Sequence, residues 1–109
     1  KSLDTFGPIG PQVVLCEDLA DPQHLRIQCR LNGRVVQDAN TSEMIFPLAR
    51  IVEYVSMNFT LMPGDIVMTG TPAGVGDIAH GDIVEVEIEE IGTLRNPVID
   101  ERFQASTPR

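Results

Sequence analysis

Leu25, Ile27, Cys29 and Leu31 alternate with Arg26, Gln28 and Arg30; Asn32-Gly33 then intervenes and Arg34-Val35-Val36-Gln37 returns. Alternation of this kind sends successive side chains to opposite faces of a strand, so one face turns toward a core and the other toward water. Asn-Gly supplies the two positive-φ residues of a type I′ turn, whose twist matches that of paired strands. A β-hairpin is therefore expected over residues 25–37, and the remaining elements have to be arranged around a sheet.

With 109 residues the chain suits one compact domain, a size that buries roughly two thirds of the surface of the unfolded chain. Only 5% of it is aromatic and it has no Trp, so the core must rest on Ile, Val, Leu and Met, which favours β-rich packing. Gly7, Pro8, Gly10 and Pro11 exclude a helix from residues 1–12, and Val13, Val14 and Leu15 then predict a strand. Asn40, Thr41 and Ser42 can cap a turn that includes Glu43, and Pro47 suits the first position of a helix. Leu48, Ile51, Val52 and Val55 recur at i, i+3, i+4 and i+7, predicting the one main helix over 47–58. Gly64-Asp65-Ile66-Val67 is echoed by Gly81-Asp82-Ile83-Val84, and each copy predicts a turn entering a strand. After the second copy, Val84, Val86 and Ile88 face one way and Glu85, Glu87 and Glu89 the other, with residues 92–98 expected to pair nearby. The polar end from Arg102 is expected to fray.

Sixteen acids against eight bases give a net charge of −8, which repels phosphate backbones and leaves no basic stripe for nucleic acid. No apolar run reaches the roughly 18–20 residues of a bilayer span, so no membrane partner is expected. Cys16 and Cys29 are too few for a disulfide framework and wrongly spaced for a zinc pair, which fits a reducing, cytoplasmic compartment. Lys1 is not an initiator Met, and the chain is expected to be a piece of something longer.

The segment most suited to a ligand is 63–76, where Ile66, Val67 and Met68 predict a short strand running into a loop of small residues and hydroxyls. Gly64, Gly70, Gly74 and Gly76 let backbone approach a ligand closely, and Thr69 and Thr71 supply donors at fixed positions. A tight connection between strands would use the same glycines. The Gly-Lys-Ser/Thr ending of a phosphate loop is absent, as is the Rossmann spacing. Glu85 and Glu87 share a strand face and could bind a cation, but a solvated row of glutamates has the same pattern and no third ligand is placed beside them. His24 and His80 lie by turns, outside any nucleophile or zinc motif.

Several stretches occur together in a characteristic order: residues 1–11 (Lys1-Ser2-Leu3-Asp4-Thr5-Phe6-Gly7-Pro8-Ile9-Gly10-Pro11), Leu31-Asn32-Gly33, Gln37 followed by Asn40-Thr41 and Met44-Ile45-Phe46, then 61–76, and Gly92-Thr93-Leu94-Arg95-Asn96. In this the chain closely resembles the C-terminal half of the fumarylacetoacetate hydrolase family. The resemblance covers nearly the whole chain, and Pro-Gly-Asp followed by Thr-Gly-Thr-Pro-Ala-Gly-Val-Gly is its most specific run.

The resemblance implies an α+β, β-rich fold: a mixed β-roll or sandwich of the fumarylacetoacetase C-terminal-domain type with one main helix, present over 1–109 as a partial domain. It implies a homodimer that uses Mg2+ or Mn2+ to act on 2-oxo acids and acylpyruvates through a metal-held enolate, by C–C hydrolysis, isomerisation or decarboxylation. Lys1 matches the family's active-site lysine, which stabilises the developing enolate. Thr5 falls near the metal shell, and Thr71, with amides around Gly70, matches the loop that holds the substrate carboxylate. The family's metal carboxylates, a Glu-x-Glu pair and a further acid, precede the lysine, so they are expected upstream of Lys1 and are not Glu85 and Glu87. A helical lid with a His and a Glu, used by several members, is also missing from these residues. The rival expectation is a non-catalytic, β-rich oligomerisation module or degenerate member of the same family.

Overall fold

The computed structural model describes residues 3–104. Lys1 and the end beyond residue 104 lie outside them, as does most of the tail expected to fray. The order is a 3-10 turn Cys16–Asp18, β1 (Arg26–Leu31), β2 (Arg34–Asn40), a 3-10 turn Thr41–Glu43, α1 (Leu48–Asn58), β3 (Ile83–Ile88), β4 (Gly92–Pro97) and the single turn α2 (Glu101–Gln104). The strands form one sheet in the order β2-β1-β3-β4, and its three pairings are antiparallel. This is the β-rich α+β fold with one main helix that the sequence predicts.

The hairpin forms where expected, with Asn32 at φ 52° and Gly33 at φ 79°. Asn32 also locks the turn to β3: its Nδ2 donates to Asp82 Oδ1 at 2.8 Å, and its Oδ1 accepts from the Ile83 amide at 2.9 Å. The register shifts between Cys29 and Arg30, which face Gln37 and Val35, so Val36 is the extra residue of a β-bulge.

Directly opposed residues share a face. Ile27, Cys29 and Leu31 thus lie beside Ile88, Val86 and Val84, with Leu94 next to Val86, on the apolar face. Arg30, Glu85 and Arg95 form a row on the other face: Arg30 Nη1 lies 2.7 Å from Glu87, and Arg95 Nε 3.4 Å from Glu85. Among the described residues only Leu25 is fully withdrawn from water, at 4% exposure. Its amide donates to Thr41 Oγ1 and its carbonyl accepts from the Thr41 amide, both at 2.9 Å. Gln23 extends this knot: its Nε2 donates to the Thr41 carbonyl and its Oε1 caps α1 by accepting from the Leu48 amide at 2.7 Å. Pro47, at φ −65°, precedes the first helical residue, and Leu48, Ile51 and Val55 are half-buried while Val52 is exposed.

Two strand expectations are corrected. Val13, Val14 and Leu15 form no strand and run into the 3-10 turn, and Ile66, Val67 and Met68 are likewise irregular. Both have strand composition, but among the described residues neither has a ladder to satisfy its backbone groups, and composition alone does not make a strand. The echo is real as a turn. Met62 and Ala79 amides donate to Asp65 and Asp82 carboxylates, the Asp amides return bonds to the Met62 and Ala79 carbonyls, and Gly64 and Gly81 take positive φ; only the second turn enters a strand.

Candidate functional site

β2 is an edge strand, and the loop of residues 69–76 packs against it where the bulge occurs. The contact depends on Gly74, which has φ +103° and comes so close to β2 that a Cβ there would sit 2.1 Å from the Val36 carbonyl oxygen and 3.0 Å from Gln37 Cγ. An L side chain is excluded on both counts. Next to this contact Gln37, half-buried on the sheet's apolar face in register with Cys29, reaches the loop with one amide nitrogen. Its Nε2 donates to Thr71 Oγ1 at 2.9 Å and to the Pro72 carbonyl at 2.8 Å.

The loop, the sheet and the start of α1 enclose an open cavity of about 490 Å³, within the usual range for small-molecule sites. Thr69, Gly70 and Thr71 form one wall; Ile27 and Ile51 belong to the sheet and helix sides, and Phe46 to the segment between. Gly70, at φ 105°, bends the backbone there. The wall is mostly apolar, and among the described residues Glu43 is its one charged side chain.

The predicted residues separate. Thr71 and Gly70 come together on the cavity wall. Thr5 sits in an exposed turn at φ 66° and is not among the residues lining this cavity. Lys1 lies outside the described residues. Glu85 and Glu87 are engaged by Arg30 and Arg95, and among the described residues no group of three or more His, Cys, Asp or Glu could hold a metal ion. Both histidines are occupied locally: His24 Nδ1 is 2.6 Å from Asp21, and His80 stacks on Phe103 with centroids 4.4 Å apart while accepting from the Asp100 amide. The sequence alone does not single out Gln37 or the wall residues Glu43 and Phe46 as site residues. Gln37 is a polar residue in phase with Cys29 and Ala39, and the bulge hides that phase when the hairpin is counted without it.

The fold and the cavity together are an antiparallel sheet whose edge strand pins a glycine-rich loop beside a cavity lined in part by threonine hydroxyls. The chain belongs to the fumarylacetoacetate hydrolase family: residues 1–99 match the family model for the fumarylacetoacetate (FAA) hydrolase C-terminal region. The mitochondrial oxaloacetate tautomerase Fahd2a of Rattus norvegicus is 45% identical over 106 residues, covering 91% of this chain and 34% of that protein. The crystal structure of 2-hydroxyhepta-2,4-diene-1,7-dioate isomerase from Mycobacterium marinum is 52% identical with a TM-score of 0.84, over 89% of this chain and 37% of the other. Maleylpyruvate hydrolase from Sphingobium sp. SYK-6, solved with manganese(II) and pyruvate, is 34% identical with a TM-score of 0.86, over 88% and 36% of the two chains. This chain spans less than half the length of the curated relatives it matches. Among the described residues no helix is long and apolar enough to cross a membrane.

Proposed function

We propose that this chain carries the carboxylate-holding side of an enzyme that acts on 2-oxo acids of the acylpyruvate type, with C–C hydrolysis the favoured reaction and isomerisation or decarboxylation its relatives. Thr71 holds the substrate carboxylate together with amides around Gly70, and Lys1 stabilises enolate character as the family resemblance implies. The observation that carries the reading is the Thr71 hydroxyl, anchored by Gln37, on the wall of a cavity of about 490 Å³ that is otherwise mostly apolar. Such a wall suits a carboxylate at the hydroxyl and amides and an acyl tail along Ile27, Phe46 and Ile51.

Mg2+ or Mn2+ belongs to the proposal because a related maleylpyruvate hydrolase was solved with manganese(II) and pyruvate. The described residues do not fit the ion, since they contain no cluster of ligands for it, and their part is confined to binding and orienting the substrate. The same proposal includes a homodimer, supported by the exposed Val52, Tyr54 and Met57 of α1, and a cytoplasmic location, supported by two free cysteines.

The test is turnover by the intact protein with Mg2+ or Mn2+ against oxaloacetate, acetylpyruvate and maleylpyruvate. Loss of absorbance from at least one, abolished by EDTA, is expected. No turnover and no binding of any of them would leave the interaction-module reading in its place.

A further inference from the structure

We infer that Gln37 is a positioning residue that presents Thr71 to the cavity as a hydrogen-bond donor; the inference rests on the carboxylate-holding role proposed above. The orientation of the Gln37 amide follows from its partners. The atom 2.9 Å from Thr71 Oγ1 is also 2.8 Å from the Pro72 carbonyl oxygen. A carbonyl oxygen only accepts, so the group facing it is the NH2, and its two hydrogens are divided between Pro72 and Thr71.

A threonine hydroxyl has one hydrogen and two lone pairs. With a lone pair taken by Gln37, the Thr71 hydrogen cannot point back along that bond and is left for another acceptor. Among the described residues, the side-chain hydrogen bond that Thr71 makes is this one, in which it accepts. Thr71 lines the cavity, so an acceptor-only group placed there, such as a carboxylate oxygen, completes the hydroxyl's bonding. An ammonium or amide N–H placed there would compete with Gln37 for the remaining lone pair.

The anchor is well founded. Gln37 lies on a strand paired to β1, next to the bulge, and Gly74 brings the loop within reach of it. Because one amide ties both Thr71 and Pro72, the position of the loop and the direction of the hydroxyl are set before a ligand arrives, which lowers the ordering cost of binding. Gln37 is not among the residues lining the cavity, and so acts through Thr71.

The test is calorimetric titration of the intact protein with pyruvate at saturating Mn2+. Replacing Gln37 by Met removes the donor at similar length and is expected to weaken pyruvate binding about three- to tenfold, the scale of one neutral hydrogen bond. Gln37→Glu is expected to weaken it further, because a carboxylate accepts the Thr71 hydrogen and reverses the bond, and this extra loss should shrink as pH falls toward the carboxylate's pKa. Once Thr71 is changed to Val, adding Gln37→Met should cost clearly less than it does in the unaltered protein, because only the bond to Pro72 is then left to lose. Equal effects of Gln37→Met with and without Thr71→Val, or no effect of either Gln37 variant in a protein where Thr71→Val does weaken binding, would overturn the inference while leaving the carboxylate-holding role intact. Failure of the unaltered protein to bind pyruvate would overturn both.

Discussion

The amide nitrogen of Gln37 stands 2.9 Å from the hydroxyl oxygen of Thr71, joining an edge strand to a loop 34 residues further along the chain. The same amide holds the Pro72 carbonyl, and Gly74 lies against the Val36 carbonyl. Strand and loop therefore behave as one unit, and the cavity wall inherits its shape from the hairpin.

Gly74→Ala should separate that unit. The new methyl would meet the Val36 carbonyl at 2.1 Å in a backbone with φ +103°, so the loop must move, at a cost of about 1–3 kcal/mol. Urea denaturation should show that loss, together with weaker pyruvate binding. Unchanged stability and binding would mean that the loop does not need its close approach to β2.

The turn at Asn32 and Gly33 should control the sheet. Gly33→Ala, at φ 79°, is expected to lose about 1–2 kcal/mol from the left-handed backbone alone. Asn32→Ala should lower the urea midpoint as well, since it removes the bonds to Asp82 and the Ile83 amide.

Acid should weaken the fold through specific aspartates. The Arg26 guanidinium and the Gln28 amide hold Asp38 below its ordinary value, and Asn32 with the Ala79 amide does the same for Asp82. Asp100 is lowered to about 2, chiefly by Arg102. A folded pKa below the unfolded value of 3.8 means that the stabilisation is present above pH 4 and is lost as pH falls through the folded values. Urea midpoints should therefore be flat from pH 6 to about 4 and decline below it, less steeply for Asp82→Asn. A midpoint unaffected between pH 4 and pH 2 would contradict these pairings.

Glu85 and Glu87 should prove to be partners of arginine rather than ligands of a metal. Their carboxylates face Arg30 and Arg95 across the sheet. Changing both to Gln is expected to leave Mn2+ affinity of the intact protein unaltered, as measured by calorimetry, with a small loss of stability that salt reduces. A large fall in Mn2+ affinity would return them to the metal site.

Much of this was legible in the sequence because its causes are local. Asn32-Gly33 sets its own turn, the repeated Gly-Asp forms the same turn twice, and alternation in residues 84–88 aligns the two faces of β3. Ile66, Val67 and Met68 show where local signals stop: the composition is that of a strand, but a strand exists only when another segment pairs with it. Gln37 shows a second limit. Its phase depends on a bulge at Val36, and its partner lies in a loop whose approach is decided by one glycine. Thr71 and Gly70 were visible through glycine density and family resemblance, whereas the apolar wall at Phe46 and Ile51 follows from how α1 is docked by Gln23 and Thr41.

The central claim is that Thr71 holds the carboxylate of a 2-oxo acid. It is tested most directly by steady-state kinetics of Thr71→Ala in the intact protein, with oxaloacetate or an acylpyruvate as substrate. A charge-assisted hydrogen bond contributes roughly 1.5–3 kcal/mol, so the Michaelis constant should rise at least about tenfold. A Michaelis constant and turnover number equal to those of the unaltered protein would contradict the account and remove Thr71 from the site.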